Sequence, residues 1–350
     1  MSISTIPNVT VSTVGTPVLT TNKIPVTYHY KPSLTTESLS SVKSPLTSRP
    51  KSSSQDLPWS PLCLVTDVAA RTEPFRSSFT INEGTELDEL YHPIGLCLLN
   101  NGNLVVASTF EHKVKLYLPS GVLQSIVQIP GRRFYKPTDM TALASGHFAV
   151  RDNDGLMIFS SEGRFLWKLE TEDKSKCTGL AQDDTGHLVT IQKPKRGEAA
   201  SLIFFDLNTG NITSRMSLNH VVREEDRWRS NCKFLTYCRG LLYVTDLGMD
   251  KVYILDNSAR LVTVFGTTGD GPGCFNDPAG LGVDGEGNMV VADSRNHRVC
   301  LFTKEGKFVS NLNLSPKVMR PSGLLLDRVN KELYVLNING KIALIKYSLQ

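Results

Sequence analysis

Nothing in this chain reads as an export signal or a membrane span. The opening MSISTIPNVT has neither a basic nor an apolar leader segment, and no run of about 18 apolar residues occurs anywhere. Cysteine is sparse and lacks pattern. The seven thiols at 63, 97, 177, 232, 238, 274 and 300 contain no CxxC pair, and no histidines stand near them at zinc-site spacing. Reduced thiols in a cytoplasmic protein are the expectation. GxSxG, HExxH and P-loop lysine motifs are missing too, so no catalytic residue can be named and an enzyme is not indicated. Net charge is small at +4, and the first 59 residues, with five basic and two acidic side chains, hold most of it. Charge alone therefore makes no case for nucleic acid.

Those first 59 residues contain 12 Ser, 10 Thr and 7 Pro and almost no hydrophobic periodicity. Such a composition cannot bury enough apolar surface to offset its ordering entropy, so residues 1–59 read as a disordered tail and 60–350 as the globular body.

The body is organised by a repeat. A Gly followed by an alternating β-rich run recurs as GNLVVAS at Gly102, GHFAVRD at Gly146, GHLVTIQ at Gly186, GLLYVTD at Gly240 and GNMVVAD at Gly287, with KELYVLN at Lys331 as a sixth copy. A second β-branched and aromatic run follows each copy, and shorter apolar runs stand on either side, giving about four strands per copy. Spacings of 40 to 54 residues with no helical periodicity between them argue against a βαβ sheet and for radial repetition of blades. The expected fold is an all-β, six-bladed propeller of four-stranded blades. Its last blade lacks an outer strand, and Phe75–Ile81 has the pattern to supply it and close the ring.

Residues 273–309, GCFNDPAGLGVDGEGNMVVADSRNHRVCLFTKEGKFV, resemble an NHL repeat in their P-x-G lead-in, D-x-x-G turn, VAD strand end and N-H-R-V turn. The first and sixth copies keep P-x-G, the second has Pro137-Thr138-Asp139, and the third keeps Thr178-Gly179. The resemblance implies a six-bladed propeller like that ending tripartite-motif ubiquitin ligases, where such domains select a protein substrate or bind single-stranded mRNA. No RING or B-box zinc pattern and no heptad coiled coil accompany it, so ligase activity is expected only with a RING from another chain or a longer form. The resemblance also assigns Arg298 a blade-holding role.

In a four-stranded meander, the loop after the second strand and the loop leading into the next blade open on the same face, because successive strands reverse direction. Loops on this face carry Arg132, Arg133, Tyr135, Lys136, Lys195, Arg196, Arg227, Trp228, Arg229, Arg295 and Arg298. Cations interleaved with aromatic rings suit phosphates and unpaired bases. Acidic residues share the face, among them Glu89, Asp152, Asp154 and Glu224-Glu225-Asp226, so a protein of complementary charge fits equally. Arg132, Arg133, Arg227 and Arg229 carry most of the functional expectation. Two features look bland: the glycines of GTTGDGPG read as turn glycines, and Asp152-Asn153-Asp154-Gly155 as a tight turn, since a calcium loop's twelfth-position Glu is missing. No cofactor and no metal site are expected. The leading reading is a non-catalytic, substrate-selecting protein-interaction propeller linked to ubiquitin ligation, and the other is a single-stranded RNA reader.

Overall fold

The computed structural model describes residues 89–170, 177–194, 197–314 and 317–339, and the backbone of 342–346. The tail at 1–59 and Phe75–Ile81 lie outside the described residues. Five four-stranded antiparallel blades follow one another at 93–126, 139–169, 177–217, 232–265 and 278–311, each a simple meander. Six four-stranded blades were expected, and here the structure corrects the sequence reading. The sixth copy forms a three-stranded sheet of Pro321–Asp327, Glu332–Asn337 and Ile342–Lys346. The segment expected to supply its fourth strand, Phe75–Ile81, is not among the described residues. Among the described residues there is no α-helix, only one 3-10 turn at Glu224–Asp226.

The β-alternation of the repeated phrase is what builds the ring. In Leu104–Ser108 of blade 1, Val105 and Ala107 join a cluster with Phe148 and Val150 of blade 2. Leu104 and Val106 point the other way, into a cluster with Tyr334 and Leu336 of the last sheet. Period-2 side chains thus bury both faces of one strand against two different neighbours. Six apolar clusters of this kind lie between successive sheets around the ring. Fully burying each Val or Leu contributes roughly 1.5–3 kcal/mol.

The innermost strands also touch in succession, and Pro321–Asp327 returns to Pro93–Leu98, where the Ser322 hydroxyl donates to the Pro93 carbonyl at 2.7 Å. The glycine of P-x-G permits this approach. A Cβ on Gly95 would lie 2.5 Å from the Thr138 carbonyl oxygen, and one on Gly280 2.5 Å from the Leu324 nitrogen. Asp139 and Phe234 stand at the corresponding positions of blades 2 and 4. The space left at the hub, lined by these residues and by Gly323, is only about 60 Å³.

Candidate binding face

The loops of this face are held from two sides. In five repeats the side chain ending the second strand accepts a backbone N–H from the lead-in loop of its own sheet. Ser108 accepts from Tyr91 at 2.8 Å, Asp152 from Tyr135 at 2.9 Å, Asp246 from Asn231 at 2.7 Å, Asp293 from Asn276 at 2.7 Å and Asn337 from Met319 at 3.1 Å. A second fastening crosses from the preceding blade. His112 Nδ1 accepts from the Lys136 N–H, Asp250 from the Asp277 N–H and His297 Nδ1 from the Arg320 N–H, each at 3.0 Å. The three donors have left-handed backbones, with φ of 51°, 54° and 46°. That conformation costs of the order of 1 kcal/mol or more in a non-glycine residue and persists where its surroundings enforce it. His112 and His297 are therefore blade-to-blade fasteners.

This framework sorts the basic residues. Arg132 reaches Asp152 at 2.8 Å and Asp154 at 3.1 Å. Arg227 donates to the carbonyls of Asn219 at 2.9 Å, Val222 at 3.4 Å and Gly197 at 3.5 Å. Arg298 pairs with Asp293 at 2.8 Å and donates to the carbonyls of Asp270, Gly271 and Cys274 at 2.6 to 3.0 Å. All three guanidinium groups are committed to the protein's own loops. Arg295 is half committed: its Nε pairs with Asp277 while the side chain stays 59% exposed. Among the described residues Arg133, Lys136 and Arg320 have no carboxylate partner and are exposed, and Arg229 only leans on the Trp228 ring at 5.9 Å. Lys195 and Arg196 lie outside the described residues, as do Glu83, Glu86, Asp88, Glu172 and Asp173.

All four exposed aromatic side chains among the described residues fall on this face: Tyr91 at 51%, Phe110 at 59%, Tyr135 at 48% and Trp228 at 82%. Met319, 52% exposed, joins them. Phe110 stacks on His92 with ring centres 4.2 Å apart, and Tyr135 lies parallel to His112 at 5.7 Å. Tyr91, Phe110 and Met319 are not basic, and a search for cation-aromatic mixtures passes over them. Aligning the copies finds them, since Tyr91, Tyr135 and Met319 stand just ahead of the first strand and Phe110 two residues beyond the second.

Chemistry within the body is muted. Burial pushes the Cys97, Cys177, Cys232 and Cys238 thiols up, and Cys300 up to about 12, which keeps them protonated and unreactive. Among the described residues no three His, Cys, Asp or Glu side chains come together as a metal would need. Burial lowers the pKa of His92, and the charges of Lys233 and Arg320 lower it further; its Nδ1 is buried without a hydrogen-bond partner. A histidine so depressed favours the folded state above its unfolded pKa of about 6.5, and that contribution is lost as pH falls from there through the lower folded-state pKa. His92→Gln is expected to flatten the acid limb of a melting-temperature profile between about pH 7 and 5. Superimposable profiles for variant and wild type would show that His92 does not titrate against the fold.

The fold is that of a β-propeller, with its exposed aromatic side chains gathered on one face. Residues 275–302 match the NHL repeat family model. A 44-residue stretch is 50% identical to the B-box type zinc finger protein ncl-1 of Caenorhabditis elegans, covering 13% of this chain and 5% of that protein. A stretch of 44 residues is 43% identical to Protein brain tumor of Drosophila melanogaster, covering 13% of this chain and 4% of that one. The chain thus matches about a twentieth of the length of these curated relatives. Among solved structures it is similar to Kuenenia stuttgartiensis hydrazine synthase, with a TM-score of 0.56 at 14% identity over 74% of this chain and 84% of that one. It is also similar to a streptogramin B lyase, with a TM-score of 0.51 at 13% identity over 77% and 87%. At such identities these structures speak for the shared propeller fold alone. This chain carries an NHL repeat within an all-β propeller.

Proposed function

We propose that this propeller is a non-catalytic recognition module whose outer face docks a protein partner. We place it in the cytoplasm, as a substrate selector in ubiquitin-linked protein turnover that works with a RING supplied by another chain or a longer form. The observation that carries the docking role is the convergence of Tyr91, Phe110, Tyr135, Trp228 and Met319 on one face. Exposed apolar groups with a polar rim mark interaction sites, and Tyr and Trp are the residues that most often dominate binding energy. Cys97, Cys232, Cys238, Cys274 and Cys300 form no disulfide, which suits a reducing compartment. The NHL repeat and the two curated relatives support the class; the link to ubiquitin rests on the family resemblance.

The test is capture with the full chain followed by quantitative mass spectrometry, beside a Tyr135→Ala/Trp228→Ala variant and a Val329→Ala control on the opposite face. Truncating a hot-spot aromatic costs about 2 kcal/mol or more, roughly 30-fold in affinity. Proteins retained by wild type and control should be lost from the double variant. Equal recovery on all three baits defeats the reading.

A second reading is single-stranded RNA binding, favoured by the unpaired Arg133, Lys136 and Arg229 standing next to Tyr135 and Trp228 in sequence. It requires affinity for a random RNA pool to fall with salt at a log-log slope of about −0.7 per phosphate contacted. A flat response removes it.

A further inference from the structure

Repeat equivalence sets two clefts of the face side by side. Between blades 1 and 2 the equivalent positions hold Tyr91, Phe110, His112 and Lys136. Between blade 5 and the last sheet they hold Asn276, Arg295, His297 and Arg320, which line a space of about 540 Å³. His297 Nδ1 accepts the Arg320 N–H, so the hydrogen of the neutral ring sits on Nε2 and the imidazole's remaining group is a donor. Among the described residues Arg320 has no carboxylate partner, and Arg295, whose Nε pairs with Asp277, keeps its side chain 59% exposed. Two guanidinium groups, an imidazole N–H and an amide thus line the space, with the Asp277 carboxylate on Arg295 and the buried Asp293 carboxylate taken up by the Asn276 N–H and by Arg298.

We propose that this cleft binds a phosphorylated serine or threonine of the protein partner, an inference that rests on the protein-recognition reading above. Guanidinium forks match phosphate oxygens in geometry, and the near-dianionic monoester carries more charge and more acceptor oxygens for them than a carboxylate or a phosphodiester does.

The experiment uses the full chain and fluorescence anisotropy with four probes: degenerate peptide pools centred on phosphoserine, serine or glutamate, and a random single-stranded RNA. The phosphoserine pool should bind about tenfold tighter than the serine pool, and tighter than the glutamate pool. Arg320→Ala should erase that preference while keeping the wild-type melting temperature, since only the backbone of Arg320 takes part in the fold's hydrogen bonds. Val329→Ala should keep the preference. Equal binding of the phosphoserine and serine pools, no binding by either, or a preference that survives both Arg320→Ala and Arg295→Ala overturns the proposal. RNA binding that depends on Arg320 without any phosphopeptide preference also overturns it, assigning the cleft to a phosphodiester. If capture of partners needs Tyr135 and Trp228 but is indifferent to phosphatase treatment of those partners, protein recognition stands and this inference alone fails.

Discussion

Asp246→Ala is expected to destabilise the protein by on the order of 4 kcal/mol, the largest loss of any single polar substitution on this face. Asp246 is fully buried at the end of the second strand of blade 4. It accepts from the Ser230 hydroxyl at 2.6 Å and from the backbone N–H groups of Asn231, Gly248 and Met249 at 2.7, 3.0 and 3.1 Å. Truncation leaves several donors without a partner, each costing about 1–3 kcal/mol where water cannot reach it. Asp246→Asn retains one accepting oxygen and should lose markedly less. Denaturant midpoints for the wild type and both variants decide the matter, and a loss under about 1 kcal/mol for Asp246→Ala would mean that water replaces the carboxylate. Ser230 and Asn231 follow directly on Trp228 and Arg229, so the same variant should also weaken partner capture.

Gly248→Ala should damage that loop by a steric route. A Cβ at this position runs into the Arg229 carbonyl oxygen and lies 3.2 Å from the Asn231 nitrogen. Backbone cannot turn aside as a side chain does, so the loop carrying Trp228 must shift. Overpacking of this kind costs typically 1–3 kcal/mol. Gly285→Ala is the matched comparison, because a Cβ there meets nothing within 4 Å. Thermal melts should separate the two, with Gly285→Ala close to wild type. Gly248→Ala should also lower partner capture at a temperature where it remains folded, and equal melting temperatures for both variants would contradict the clash.

The blades were legible in the sequence because the signal for them is local. GNMVVAD and its copies fix a strand, its alternating faces and its turn within seven residues. The sixth copy carried the pattern for three of its strands, and those three are described. Individual side chains on the face were legible as to side, since strand reversal dictates it, but their state of engagement was not. Arg132 and Arg133 are neighbours of one chemical type, yet one reaches Asp152 twenty residues away and the other meets no carboxylate. Long-range pairing of that kind leaves no trace in spacing. The histidine fasteners illustrate the same limit: the backbone groups that His112 and His297 accept from, 24 and 23 residues further on, emerge only once the blades are docked.

The side chains that hold the loops and those that look outward from them are different residues. Asp152, Asp246 and Asp293 work from beneath, whereas Phe110 and Arg295 occupy one and the same seat above, carrying a ring in the first copy and a cation in the fifth. A single substitution at such a seat can thus exchange a ring for a charge without disturbing the side chains that hold the loop beneath it.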